Sequence, residues 1–177
     1  MMNRLAASIF ILLTSVAGAQ AADDIVGPLR TQWGITRDLV VNLVQIMPED
    51  KYDYKPTPDI RSFREIVGHL ILENQTFMNL VAGEPAPDKA KVDALKSRDE
   101  LTKALAESYA FGERTLAALT DAKAVEKVTM RGQSVLRWYP VLYNIQDSMD
   151  HYGNLVVYVR LNGLVPPRTA AAKAKTQ

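Results

Sequence analysis

The run Asp147-Ser-Met-Asp-His-Tyr-Gly-Asn-Leu-Val-Val-Tyr-Val-Arg-Leu-Asn-Gly-Leu-Val-Pro-Pro167 predicts the last helix of the chain and part of a functional site. Gly163 and the two prolines that close the run supply the stop that a helix needs. Asp147 and His151 are four residues apart, so a helix places their side chains above one another. The pair could converge on one metal ion or on one substrate proton. It includes one of only two histidines in the chain.

Three more helices, each with one apolar stripe, are predicted upstream of this run. Their limits are marked by Pro48, by the capping pattern Ser62-Phe-Arg-Glu65 with Gly83, and by the second capping pattern Ser97-Arg-Asp-Glu100. Residues 120–134 lack helical periodicity and predict an irregular crossover or a small hairpin. The pattern therefore predicts an all-α fold, a four-helix bundle with a long crossover before the last helix.

The N-terminal residues have the pattern of a secretory signal peptide over 1–21. Arg4 precedes an apolar run from Leu5 to Val16, and Ala19-Gln-Ala21 fits the small-x-small cleavage rule. The apolar run is shorter than the roughly 20 residues of a spanning helix, so no membrane span is expected after cleavage. A retained anchor would leave the same domain outside the cytoplasmic membrane. The protein is expected to be periplasmic or secreted.

Charge and cysteine content exclude several functional classes. Loss of Arg4 with the signal peptide leaves 20 basic and 20 acidic residues, so nothing steers the mature chain toward nucleic acid. The absence of cysteine excludes a disulfide framework, a thiolate metal site and a cysteine nucleophile. Residues 22–167 have the length of one domain. The tail 168–177 is basic, lacks large apolar residues and is predicted to be disordered.

The candidate chemistry rests on the two imidazoles. His69 lies on the second helix and His151 on the last, and helical bundles commonly build metal sites from side chains on facing helices. The last helix adds Asp147, and the second adds Glu73, four residues after His69. Two imidazoles and one carboxylate suit zinc, iron, manganese or nickel, with positions left for water or substrate.

Helical periodicity also supports a different interpretation of the last helix. It has a polar stripe and a separate apolar stripe, formed respectively by Asp147, His151, Asn154 and Tyr158 and by Leu142, Ile145, Met149 and Val156. Periodicity alone predicts that the polar stripe faces solvent. The histidines would then be structural remnants in a non-catalytic bundle that binds a small ligand or a partner. An exposed helix face could also support a homodimer.

The ordered part of the chain, roughly from Leu29 to Pro167, resembles the DinB-like family of four-helix bundles, which includes thiol-dependent S-transferases and maleylpyruvate isomerase. The most specific parts are the run Pro-Glu-Asp-Lys-Tyr-Asp-Tyr-Lys-Pro-Thr-Pro over 48–58, the run Arg61-Ser-Phe-Arg-Glu-Ile-Val-Gly-His69-Leu, and the closing run from His151 to Pro167. Many members resemble metal proteins with three histidines, one on the second helix and a His-x-x-x-His pair on the last.

The resemblance implies that His69 and His151 are metal ligands and that Asp147 stands where the middle histidine is expected. Two outcomes are then open. Asp147 is a ligand in an altered His-His-Asp site that favours a harder metal ion, or the bundle has lost the ability to bind metal. The implied protein holds one divalent metal, zinc first and then nickel, manganese or iron. The hypothesis is a divalent-metal-binding protein or a metal-dependent enzyme, a hydrolase or a transferase of unidentified small-molecule substrate. Glu73, four residues after His69, is the candidate for the catalytic proton-transfer group. Export would separate it from the cytosolic thiol cosubstrates of S-transferase members.

Overall fold

Four long helices form the fold of the chain, which a computed structural model describes over residues 24–175. They are α1 (Val26–Gln45), α2 (Phe63–Ala82), α4 (Arg98–Ala118) and α6 (Tyr139–Leu161). Helices α1 and α2 each pack against both α4 and α6, which places α1 and α2 on one diagonal of the bundle. The predicted all-α four-helix bundle is confirmed. The predicted signal peptide, 1–21, lies outside the described residues.

Shorter elements connect and follow these helices. They are a 3₁₀ turn (Glu49–Lys51), α3 (Lys89–Asp93), α5 (Asp121–Ala124), β1 (Lys127–Met130), β2 (Gln133–Leu136) and α7 (Pro167–Ala174). The strands form an antiparallel hairpin in which Met130 pairs with Gln133. Its tip residues, Arg131 and Gly132, have positive φ angles of 50° and 79°, as a two-residue hairpin turn with the right twist requires. The predicted crossover thus consists of α5 and this hairpin.

Helix α2, which carries half of the site, begins and ends at the predicted signals. The Ser62 side chain accepts a hydrogen bond from the Glu65 amide, and the Glu65 carboxylate accepts one from the Ser62 amide at 2.6 Å. This capping box satisfies two amides that a helix start would leave unpaired. Gly83 ends the helix with a left-handed φ of 78°. The register of α2 is therefore fixed at both ends.

A buried polar contact links α2 to both of its neighbours. The Asn74 amide donates to Ser108 Oγ on α4 at 3.0 Å and accepts from the Asn144 amide on α6 at 2.9 Å. All three residues are buried in an otherwise apolar core. Because a buried amide must find partners, these bonds select one alignment of α2 against α6. The candidate site lies next to this contact, since Asp147 follows Asn144 by one helical turn.

The prediction of a disordered tail over 168–177 is wrong for residues 168–174, which belong to α7. Pro167 stands in the first turn, where its fixed φ favours a helix, and the alanines that follow have high helix propensity. Helix α7 lies against α1. Low hydrophobicity suggested disorder, but a short alanine-rich helix needs little apolar surface once it docks on a neighbour. Within residues 24–175, no helix is both long and apolar enough to cross a membrane.

Candidate metal centre

His69, Asp147 and His151 converge between α2 and α6. The Oδ2 atom of Asp147 lies 3.7 Å from Nε2 of His69 and 3.8 Å from Nε2 of His151. The two imidazole rings meet edge to face, with centroids 4.7 Å apart and planes at 84°. One ligand atom from each residue lies within 4.8 Å of the others. The structure therefore brings together all three predicted ligands.

These separations suit a shared ion better than hydrogen bonds among the three groups. Contacts of 3.7 and 3.8 Å exceed hydrogen-bond length, whereas two ligands of one tetrahedral zinc are about 3.3 Å apart. Oδ2 of Asp147 and Nδ1 of His151 are buried and have no hydrogen-bond partner within residues 24–175. A buried carboxylate oxygen without a partner is costly, and a bound cation would remove that cost. The donor set fits a divalent metal.

The buried face of α6 differs from the face that periodicity predicts. Tyr158, predicted to be exposed, is only 4% exposed and donates a hydrogen bond to the Arg61 carbonyl at 2.5 Å, whereas Leu142, predicted to be buried, is 41% exposed. The cause is the polar content of the true interior face, which includes Asn144 and Ser148. A hydrophobicity pattern cannot locate a face that buries amides and hydroxyls. Asp147 and His151 lie half-buried at the edge of this face.

The surroundings of His69 favour its neutral form. Burial lowers the pKa of this imidazole, and the nearby charges of Arg61 and His151 lower it further, against the opposing effect of Asp147. A metal binds the neutral imidazole, so a depressed pKa reduces competition from protons. The lowered pKa of His69 therefore favours the neutral imidazole that a metal ion needs as a ligand near neutral pH.

Glu73 lies one turn after His69 on α2 and is half-buried, but it does not belong to the group of three converging ligands. Burial raises the pKa of its carboxyl, and the negative charge of Asp147 raises it further, while Arg131 and Arg61 act in the opposite direction. A raised pKa brings a carboxyl closer to the range in which it can exchange protons at neutral pH. The position suits the predicted proton-transfer role.

The stability of the metal-free protein is expected to decrease as the pH falls below 6.5, the ordinary pKa of histidine. Because the pKa of His69 is lower in the folded state, protons bind the unfolded chain more readily below that pH. The His69→Gln variant should lose less stability than wild type between about pH 7.5 and about pH 5.5, one unit on either side of the ordinary histidine pKa. Denaturant unfolding of chelator-treated protein measures the difference. The pKa of the Glu73 carboxyl is raised in the folded state, so this group makes the protein more stable at lower pH. Both proteins retain Glu73, so this contribution cancels in the comparison. An identical pH dependence in the two proteins would contradict the assignment.

Two arginines that the predicted site does not include also act on it. Arg61, just before the Ser62 cap, and Arg131, at the hairpin tip, both lower the pKa of Glu73. Arg61 belongs to a run that carries the family resemblance, so its position could have been found from sequence. The Arg131-Gly132 pair predicts a turn, but no sequence signal shows that this turn folds over α2 and α6.

The fold and the site together define a helical-bundle protein with a candidate His-Asp-His metal centre. The chain belongs to the DinB superfamily, whose family model matches residues 32–155. The predicted family is confirmed; export rests on residues outside the described range.

Solved structures share this fold. A DinB-like protein from Bacillus cereus ATCC 10987 has a TM-score of 0.72 at 11% identity, with 80% of this chain and 95% of that chain covered. A DinB-like protein from Bacillus subtilis has a TM-score of 0.65 at 21% identity, with 78% and 93% covered. At these identities the similarity shows the fold alone. No curated protein matches the chain in sequence.

Proposed function

We propose that this protein is an exported metalloprotein that binds one divalent ion through His69, Asp147 and His151 and acts as a metal-dependent hydrolase or transferase on a small molecule. The observation that carries the proposal is the convergence of three ligand atoms within 4.8 Å around a buried carboxylate oxygen that has no hydrogen-bond partner in the described chain. The signal-peptide pattern of residues 1–21 supports export.

The chemistry of the three proposed ligands gives an order of preference among the candidate metals. Two imidazole nitrogens and one carboxylate oxygen make a common zinc ligand set, and nickel, manganese and iron follow as candidates. Three protein ligands leave coordination positions open, which is the pattern of catalytic rather than structural sites. A divalent ion held there supplies Lewis-acid polarisation and lowers the pKa of a water molecule.

The protein's own groups supply the remaining functions of such a site. Helices α2 and α6 hold the three ligands at fixed spacing through the Asn74–Asn144 hydrogen bond of 2.9 Å. Glu73, one turn from His69, is the group proposed to accept a proton from the attacking nucleophile and to return it to the leaving group. Its half-burial and its raised pKa support that role.

Metal analysis of protein purified without chelators tests the proposal. One equivalent of divalent metal per chain is expected in wild type, and His69→Ala and His151→Ala should each reduce it to a small fraction. Elemental analysis after gel filtration gives the stoichiometry, and zinc titration of chelator-treated protein gives the affinity. Circular dichroism shows whether the variants remain folded. Wild-type protein that takes up no metal would overturn the proposal and favour a non-catalytic bundle.

A further inference from the structure

Arg131, an exposed residue at the tip of the β1–β2 hairpin, packs against aromatic side chains of α2 and α6. Its φ of 50° is in the left-handed region, which costs energy for a residue other than glycine. The guanidinium lies over the rings of Tyr143 and Phe77, at 4.8 and 5.8 Å from their centroids, and donates a hydrogen bond to the Tyr143 hydroxyl at 2.8 Å. These contacts fix a positive charge over α2 and α6.

The charge lies close to the candidate metal centre. Tyr143 precedes Asp147 by four residues on α6, and Phe77 follows Glu73 by four residues on α2. Four residues are about one helical turn, or roughly 5.4 Å along the axis. The lowering of the Glu73 pKa by Arg131 agrees with this proximity.

Arg131 differs from arginines of this chain that have a carboxylate partner. Arg64 pairs with Asp53 at 2.7 Å and Arg137 pairs with Glu126 at 2.9 Å. Arg131 forms no ion pair within residues 24–175, and its hydrogen bond to Tyr143 uses one of five N–H groups. The remaining donors form a fork of the kind that binds a carboxylate at two points.

A cavity of about 420 Å³ opens beside this guanidinium, between α2, the hairpin and the loop after Gly83. Its apolar walls include Phe77, Leu80 and Met130, while Glu73 and Arg131 also line it. The cavity therefore combines an apolar surface with a fixed cation and the proposed proton-transfer carboxyl. Thr76, Asn79 and Thr129 add neutral polar groups to the lining. Pockets that bind small molecules likewise combine apolar walls with oriented polar groups.

We propose that Arg131 binds the carboxylate of a small substrate whose short apolar chain lies in the cavity between α2 and the hairpin. The reaction of such a substrate rests on the proposed metal function, but its binding through Arg131 does not. Arg61, Arg131 and a divalent ion outweigh the two nearby carboxylates, Glu73 and Asp147, so the loaded site attracts anions. Glu84, also on the cavity wall, is exposed to solvent, which weakens its repulsion.

Calorimetric titration with hexanoate tests this site in zinc-loaded and in chelator-treated protein. Hexanoate should bind about tenfold more tightly than hexanamide, which lacks the charge, and than acetate, which lacks the chain. In chelator-treated protein, Arg131→Gln should remove the preference for hexanoate over hexanamide. Arg114→Gln, which changes an exposed arginine on α4, is the matched control and should bind hexanoate as wild type does.

The outcomes separate the two proposals. Equal binding of hexanoate and hexanamide by wild type, or unchanged hexanoate binding by Arg131→Gln, overturns the carboxylate site even if zinc binds stoichiometrically. Hexanoate binding that depends on Arg131 in protein that takes up no zinc supports the carboxylate site and overturns the metal function. If the Arg131→Gln variant unfolds, the comparison of hexanoate with hexanamide binding by wild-type protein still tests the carboxylate site.

Discussion

Asp147→Asn is expected to weaken zinc binding by at least about 100-fold, the upper end of the usual effect of changing a residue that only supports a ligand. Asparagine keeps the size of the side chain but removes the anionic oxygen. The remaining ligands would be two neutral imidazoles, His69 and His151, with a poorly donating amide between them. Competition for zinc between the protein and a chromophoric chelator measures the change. This substitution therefore tests directly whether Asp147 belongs to the proposed ligand set.

Two further variants serve as controls for the zinc affinity of Asp147→Asn. Asp150→Asn removes the same charge from the same helix at an exposed position, and it should leave zinc affinity unchanged. Asp147→His creates the three-histidine arrangement that the family resemblance implies, and it should retain tight zinc binding. If Asp147→Asn binds zinc as wild type does, the carboxylate is not a ligand. Zinc binding by the Asp147→His variant alone would identify the natural chain as a bundle with a lost site.

The helices of the bundle could be predicted from sequence because their signals are local. Ser62 and Ser97 form capping boxes with the carboxylates three residues later, and Gly83 takes the left-handed conformation that ends α2. Each signal depends on a few neighbouring backbone groups, so it acts in the same way in the folded protein as in the pattern. The arrangement of the helices needed the family resemblance as well.

The site was harder to predict because its surroundings are polar. Helical periodicity predicted that Asp147 and His151 lie on an exposed stripe, because this method assigns the buried face from the positions of apolar residues alone. The interior of α6 instead buries Asn144 and Ser148, and Asn144 donates a hydrogen bond to Asn74 on α2. Long-range hydrogen bonds of this kind leave no trace in local hydrophobicity. The contact of Arg131 with α2 and α6 escaped prediction for the same reason.

Gly112→Ala is expected to destabilise the protein by about 3 kcal/mol, near the upper end of the usual cost of overpacking. Gly112 is buried on α4, and a Cβ atom there would overlap ring carbons of Trp33 on α1. The ring is held in place, because its Nε1 donates to the Tyr109 carbonyl at 3.1 Å and it packs against the tilted Tyr109 ring with centroids 5.3 Å apart. Thermal unfolding should show a decrease in Tm of about 6–12 °C.

Gly34→Ala is the matched control, because a Cβ at that helical position meets nothing within 4 Å. It should stabilise α1 by about 0.5–1 kcal/mol through helix propensity. Combining Gly112→Ala with Trp33→Phe tests the mechanism, since the smaller ring vacates the space that the new methyl group needs. The double variant should therefore lose less stability than the two single variants together, with a coupling of about 1 kcal/mol or more. Strict additivity would mean that the methyl group is accommodated by a shift of α4 and not opposed by the Trp33 ring.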